Sequence, residues 1–446
     1  MLSHSSELGG AERSMIDLFD YWAKEGLIEP FFIIRKPLKN MVPELKKRQW
    51  QYNPLYYTNW SQRKPSKRAE DIFRNARYNA QALQDIEKIV KRVKPDVVMT
   101  NTIVSPWAAL IAYFDNIPHV WFVREYGDID HQHVFELGRE KMLQDIDTLS
   151  DLVVTNSETL ARHIGDYINK EKITALYTPF DLKLLEKKSQ EPINNPFKFD
   201  DSLKLVITGR IAPSKGQDEA AKAAGELNQQ GFNTELCIIG LPADPQDADA
   251  LNAAIEKYKI ADKVHLVGQQ SNPLGILRHA DVGIMASQQE AFGRVTFEYM
   301  ATGRPVVGAN SGATPEMIDD GVNGYLYKKG DVESLKAALI KYAKQRDLIL
   351  KHGEAAKQKT EAMMRGEHNA DKLFERIQDA INTHNQRLNK SLNFSRRWIE
   401  YPLVAQQYID ESRVISLKNA IRSRVRAKLK AVYLRLTRIF EKRSKK

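Results

Sequence analysis

Cysteine is almost missing from this chain: Cys237, inside the apolar run 235–239, is the only one in 446 residues. A lone cysteine has no partner for an intrachain disulfide, so a reducing compartment is expected. Long hydrophobic runs are also missing. The longest, near 104–114 (VSPWAALIAYF), contains proline and is too short to span a bilayer. The amino-terminal MLSHSSELGG has neither a basic start nor an apolar core, which argues against a signal peptide. Internal repeats and low-complexity tracts are absent too. These absences point to a soluble cytoplasmic protein.

What is present is ordinary globular composition, 42% hydrophobic and 28% charged, at a length that suits two or three domains. The net charge of +10 is unevenly spread. From Arg413 to Lys446 there are thirteen Lys and Arg and one acid, Glu441, so this segment carries +12 and the preceding 412 residues sum to −2. Nonspecific affinity for anions therefore belongs to the tail.

Short β-rich runs alternate with helical patterns along most of the chain. Strands are expected at 28–34, 96–100, 119–123, 152–155, 173–177, 204–208, 235–240, 263–267, 282–285 and 305–309. Helix-period segments such as 69–92 and 218–230 lie between them. This is the βαβ pattern of parallel sheets covered on both faces. It pauses at 181–202, a charged stretch with two prolines that reads as a linker. The expected organisation is thus α/β: two Rossmann-like doubly wound domains facing a cleft, 1–180 and 203–385, followed by a helical basic tail, 386–446. The ligand is expected in the crevice between the domains, beyond the carboxyl ends of the strands. The Gly-rich ELGGAERSMIDLF should follow a strand, yet only MLSHS precedes it. The first strand is accordingly expected to be short or missing, as from an incomplete amino terminus.

Two stretches carry the chemistry. In LKLVITGRIAPSKGQ (203–217) a buried strand ends at Thr208, Gly209 permits a sharp turn, and Arg210 and Lys215 follow near a helix start set by Pro213 and Ser214. Two cations at the carboxyl edge of a parallel sheet can clamp a diphosphate, arginine as a planar fork and lysine as a point charge. In VGIMASQQEAFGRVTFEYMATGRPVVGANSGATPEMI (282–318) a strand gives way to a loop with Glu290, and a helix runs from about Gly293 to Ala301 with Glu298 inside it. At about 1.5 Å of helix rise per residue, the two acids lie roughly 8–12 Å apart. They are too far apart to share one small substrate atom. They can hold hydroxyls at the two ends of a sugar nucleotide, its diphosphate lying over the free N–H groups of the helix start. Taken singly, each is equally well a solvated surface residue.

Together these pieces resemble the signature of retaining glycosyltransferases of family 4, which have the two-domain GT-B fold. Glu290 and Glu298 match its E-x7-E motif, with Phe292 and Gly293 inside it. GRPVV (303–307), SGATPEMI and DGVNGYLY (320–327) complete the pattern. GRIAPSKG (209–216) resembles the donor-diphosphate loop, CIIG (237–240) and VHLVG (264–268) its next strand ends. GGAE (9–12) resembles the loop facing the acceptor, and DLVVTNSE (151–158) a late strand of that domain. The resemblance covers about residues 5–385 and is stronger in the second half.

The resemblance implies roles. Arg210 and Lys215 would bind the diphosphate and stabilise the leaving nucleotide without a metal. Glu290 would bind hydroxyls of the donor sugar and Glu298 those of the ribose. Gly209, Gly240, Phe292, Gly293, Arg294 and Val295 would complete the donor site, with backbone N–H groups of Phe292 and Gly293 on the sugar. Gly9, Gly10, Glu12, Arg124 and Glu125 would face the acceptor. The donor would be a nucleoside diphosphate sugar, a UDP-sugar foremost, with no cofactor. The acceptor would be a glycan; that it is lipid-linked, in cell-surface polysaccharide synthesis, rests mainly on the basic tail. Two positions depart from the pattern. Arg124 and Glu125 stand where members often have a His, and YTPFD (177–181) stands for an Asn-Gly-x-Asp turn. DID at 128–130, with His131 and His133, can be read as the metal-binding Asp-x-Asp of the other large glycosyltransferase fold. The strand order and the Glu pair favour a loop lining the acceptor cleft instead. His4, His119 and His265 read as structural.

In the tail, apolar residues recur every three or four positions from Val414 through Leu417, Ile421 and Val425 to Ile439, with Lys and Arg on the other faces. A helix of this kind lies in the headgroup plane of an anionic bilayer, each basic residue adding about 1 kcal/mol. The expectation is peripheral attachment to the inner membrane face through 413–446. A packed helix or oligomer contact, and a nucleic-acid arm, are the other readings. The nucleic-acid arm is the least favoured, because no base-stacking motif accompanies the stripe. Two rivals to transfer also stay open: a sugar-nucleotide epimerase on the same fold, and a noncatalytic partner subunit.

Overall fold

A computed structural model of the chain describes residues 1–387 apart from 66–67, 136–137, 178, 243 and 367–368. The basic stripe expected in the tail lies outside the described residues.

Two parallel sheets organise the molecule. The first has seven strands in the order β3-β2-β1-β5-β6-β8-β9. They are β1 (Leu2–Ser3), β2 (Phe31–Arg35), β3 (Gln51–Leu55), β5 (Val98–Asn101), β6 (His119–Val123), β8 (Leu152–Thr155) and β9 (Ile173–Ala175). A two-stranded antiparallel ribbon, β4 (Ser61–Gln62) with β7 (Val134–Phe135), lies beside it. The second sheet has six strands in the order β12-β11-β10-β13-β14-β15. These are β10 (Leu203–Thr208), β11 (Thr234–Ile239), β12 (Val264–Gly268), β13 (Val282–Met285), β14 (Val306–Ala309) and β15 (Gly324–Tyr327). Central strands such as HVWFV of β6 and TELCII of β11 are buried at every residue. That is why they read as unbroken apolar runs rather than alternating ones.

Each sheet separates two apolar cores. Trp121, Val123 and Val153 face one side of the first sheet, Phe122, Val120 and Val154 the other. Leu205, Ile207 and Ile238 face one side of the second sheet, Val206, Cys237 and Met285 the other. In both sheets the strand order reverses at one place, between β1 and β5 and between β10 and β13. At such a point the loops leaving adjacent strands diverge and open a crevice.

The first strand, expected to be short or missing, is present and spans only two residues, paired on both sides. Two other features differ from the sequence reading. The stretch expected as a linker carries a helix, Leu182–Ser189, and its Leu185 and Phe197 enter the second domain's core. The helix Ala370–Arg387, assigned by sequence mostly to the second domain, packs on the first. Ala370, Leu373, Ile377 and Ala380 join the core of the first sheet, Trp22 Nε1 donates to Ala370 O at 3.1 Å, and His384 Nδ1 lies 2.9 Å from Asp151 Oδ1. Among the described residues no helix is long and apolar enough to cross a membrane.

Candidate functional site

The reversal between β10 and β13 brings the two chemistry-bearing stretches side by side. After β10 the chain turns at Gly209, and Lys215 sits in the 3-10 turn Pro213–Lys215 ahead of the helix Gln217–Gln229. After β13 the loop 286–293 passes the same place: Gln288 N donates to Ser214 O at 2.9 Å. Lys215 Nζ thereby meets Glu290 Oε1 at 2.5 Å. Burial opposes ionisation of Glu290, but the Lys215 charge and hydrogen bond, with a further bond from Ser287, hold its carboxyl below the ordinary value. The pair lines a cavity of about 140 Å³ together with Thr208, Gly209, Ser287, Gly293, Arg294 and Val295.

Gly293 caps the helix Arg294–Ala301 at φ +85°, the left-handed region that glycine adopts without strain. The helix is fixed against the sheet by Tyr299, whose hydroxyl oxygen accepts from Thr208 N at 2.7 Å. Phe292 is buried and stacks near Tyr177, so its side chain supports the loop. Arg210 is exposed at the rim, and Gly240 packs on the backbone of Gly209.

Glu298 lies in a different setting from Glu290. Burial raises its carboxyl above the ordinary value, and Arg294, with Nε 3.3 Å from Oε1, only partly offsets this. Arg294 also crosses to the first domain. Its terminal nitrogens lie 3.2 and 3.3 Å from Asp17 Oδ2 and 3.2 Å from Ser14 Oγ, and its guanidinium covers the Phe180 ring at 4.5 Å. A second crossing runs through Glu316. Its carboxylate accepts from Glu158 N at 3.1 Å, Thr159 N at 2.5 Å and the Tyr177 hydroxyl at 3.2 Å. An acid at the first turn of a helix meets free N–H groups and the positive end of the dipole. Neither crossing was legible in the sequence, because Asp17 and Glu158 lie more than a hundred residues from their partners.

On the first domain, the residues expected to face the acceptor gather at the carboxyl ends of β1, β5 and β6. Gly9 and Gly10 open the helix Gly10–Lys24. Glu12 is buried, its Oε1 3.0 Å from His4 Nδ1 and 3.4 Å from Ser3 Oγ. His4, read as structural from sequence, therefore belongs to this cluster. Glu125 accepts from Ile103 N at 2.7 Å, and burial pushes its carboxyl up to about 7. Arg124 Nε donates to Asn101 Oδ1 at 2.8 Å, and burial lowers its guanidinium to about 10. His119 and His265 are held internally, His119 beside Thr100 at 2.9 Å and His265 beside Glu235 at 2.6 Å.

The carboxylates of the Asp-x-Asp stretch serve the loop itself. Asp130 accepts from Tyr126 N and Gly127 N, Asp128 binds Arg139, and His133 Nδ1 lies 3.1 Å from Ser61 Oγ. Among the described residues no group of three or more His, Cys, Asp and Glu is placed to hold a metal ion. His131 faces the charges of Lys215, Glu290 and Arg210 across the cleft. Sequence reading set it aside as a possible ligand of a metal. Its place opposite the loop that carries Arg210 and Lys215 follows only from how the domains meet.

Two doubly wound domains, joined across a cleft that a Lys–Glu pair lines at a strand-order reversal, define the GT-B class of glycosyltransferase scaffold. Residues 8–184 match the family described as Glycosyltransferase Family 4, and residues 189–359 that described as Glycosyl transferases group 1. The two matches support a glycosyltransferase of the family 4 type. The chain is 25% identical over 220 residues to N-acetyl-alpha-D-glucosaminyl L-malate synthase of Bacillus anthracis, covering 49% of this chain and 57% of that protein. It is 30% identical over 185 residues to the amylovoran biosynthesis glycosyltransferase AmsK of Erwinia amylovora, covering 39% of this chain and 44% of that protein. The chain thus spans about half the length of the curated relatives it matches. Among solved structures, Anabaena Alr3699/HepE in complex with UDP and glucose has a TM-score of 0.65 at 18% identity, covering 86% of this chain and 98% of that one.

Proposed function

We propose that this protein is a retaining, metal-independent glycosyltransferase. It moves a sugar from a nucleoside diphosphate sugar, a UDP-sugar foremost, to a glycan acceptor on a lipid carrier in cell-surface polysaccharide synthesis. The observation that carries the reading is the Lys215–Glu290 pair beside Gly293 at the reversal of the second sheet. The amylovoran role in the name of AmsK and the UDP and glucose bound by HepE support it.

In this reading Lys215 and Arg210 neutralise the leaving diphosphate, so charge that develops as the glycosidic bond breaks meets fixed cations. Glu290, ionised, accepts from donor-sugar hydroxyls, and Glu298, the second acid of the E-x7-E spacing, binds the ribose. Gly209, Gly240, Phe292, Gly293 and Val295 let the backbone approach the ligand, and Arg294 orients Glu298. The departing phosphate oxygen takes the acceptor proton on the face where the new bond forms, which keeps the anomeric configuration. The basic segment 413–446 holds the enzyme on the anionic inner face of the cell membrane.

Nucleotide sugars screened by thermal shift, then assayed for transfer in EDTA, test the donor and the metal together. Full transfer by both E290A and K215A would remove the site assignment. Donor conversion without acceptor would indicate an epimerase, and binding without turnover a partner subunit. For the tail, flotation with anionic liposomes compares full length with 1–412. Equal binding by both removes the membrane role.

A further inference from the structure

Arg124 has no ion-pair partner within 4.0 Å among the described residues. It is buried at the end of β6, with 9% of its surface exposed. One edge is fixed, Nε to Asn101 Oδ1 at 2.8 Å, and Asn101 in turn donates to Ala11 O at 3.3 Å in the first turn of the helix Gly10–Lys24. Phe122 covers one face with its ring centroid 5.2 Å away. From the neighbouring strand Asn156 donates to the Arg124 carbonyl at 2.9 Å. The guanidinium is therefore held in place, yet Nη2 is buried and, among the described residues, has no hydrogen-bond partner.

The three acids whose charge it feels are each bound elsewhere. Glu125 accepts from Ile103 N, Glu12 is paired with His4, and Asp17 is paired with Arg294. Among the described residues no carboxylate comes within 4.0 Å of the guanidinium. Although burial lowers it to about 10, Arg124 stays cationic at neutral pH. A buried cation without a counter-ion is costly unless a ligand supplies the charge. A guanidinium with a terminal N–H edge free suits an oxyanion of phosphate or carboxylate type.

We propose that Arg124 anchors an anionic group, phosphate or carboxylate, carried by the acceptor. This rests on the transferase reading and names the acceptor's chemical class. The donor's diphosphate has its own cations, Arg210 and Lys215, on the other domain. Arg124 stands on the acceptor side with Gly9, Gly10 and Glu12.

The test uses the full chain at constant ionic strength. Inorganic phosphate and, separately, malonate are titrated into wild type, R124Q and R124K by calorimetry, each with UDP already saturating. Wild type is expected to bind at least one of the two anions with UDP in place. R124Q should weaken that binding by about tenfold or more, since a charge-assisted bond is lost, with UDP affinity unchanged. R124K should fall between. If R124Q does not fold, R124K, which keeps the charge but not the fork, gives the same comparison. Anion binding that UDP abolishes, anion affinity unaltered in the variants, or loss of UDP binding instead would each overturn the proposal. If wild type binds no nucleoside diphosphate, the transferase reading fails, and the anion titration without UDP still decides for or against Arg124.

Discussion

Lys215 and Glu290 stand 75 residues apart in the chain and meet with Nζ 2.5 Å from Oε1, each side chain mostly shielded from water. In the proposed reading, the lysine that would meet the donor's diphosphate is thus positioned by the acid that would meet the donor's sugar. One contact would then set both before any ligand arrives, lowering the cost of ordering the site.

Removing Lys215 leaves a shielded carboxylate without its cation, held only by the bond from Ser287. K215A is expected to lower stability by about 1–3 kcal/mol, and adding E290Q to restore part of it while transfer stays lost. Because the Glu290 carboxyl is held below its ordinary value, the pair stabilises the fold above the unfolded Glu value of about 4.3 and loses this as pH falls further. Denaturant melts of the four proteins of the cycle give the coupling. Strict additivity would show that the side chains do not interact.

Glu298 titrates in the opposite sense. Its carboxyl is raised, so the folded state is favoured fully below about pH 4.3 and loses stability as pH rises through the folded value. E298Q should therefore be more stable than wild type at pH 7, with the difference gone at pH 4. Thermal melts across that range check it. A constant difference would mean that Glu298 is not the group responsible.

Arg294 joins the domains through Asp17 and Ser14 while holding Glu298. R294A is expected to lower kcat/KM by about tenfold to a hundredfold, through misplacement of groups it does not itself transform. D17N should show a smaller loss in the same direction. Unchanged kcat/KM together with a lowered Tm would confine Arg294 to a structural part.

Two glycines separate backbone clash from conformational preference. A Cβ on Gly240 would lie 2.0 Å from the Gly209 carbonyl oxygen, which cannot move without breaking the end of β10. One on Gly293 would meet the flexible end of Met317 at 3.0 Å. G240A is expected to cost more than about 2 kcal/mol and G293A about 1 kcal/mol. Equal losses in denaturant midpoints would contradict the placement of these loops.

Much of the scaffold was legible because it is written locally. β6, β8 and β13 fall on the expected residues, since buried parallel strands need unbroken apolar runs. β3 and β15 were missed for a related reason. Both are edge strands, and Pro54 in one and the turn residues of DGVNGYLY around the other hide the pattern.

The sequence by itself determined the α/β alternation, the Gly-Arg…Lys loop, the spacing of Glu290 and Glu298 and the basic stripe of the tail. Each is encoded within ten to thirty residues, where period and turn chemistry act. Only the tertiary structure decided that Lys215 meets Glu290, that Arg294 reaches Asp17, that Glu316 caps a helix of the other domain and that Ala370–Arg387 returns to the first sheet. It alone left Arg124 buried with no counter-ion among the described residues. Those relations join residues up to 350 positions apart. They depend on strand order and domain contact, which no local pattern specifies.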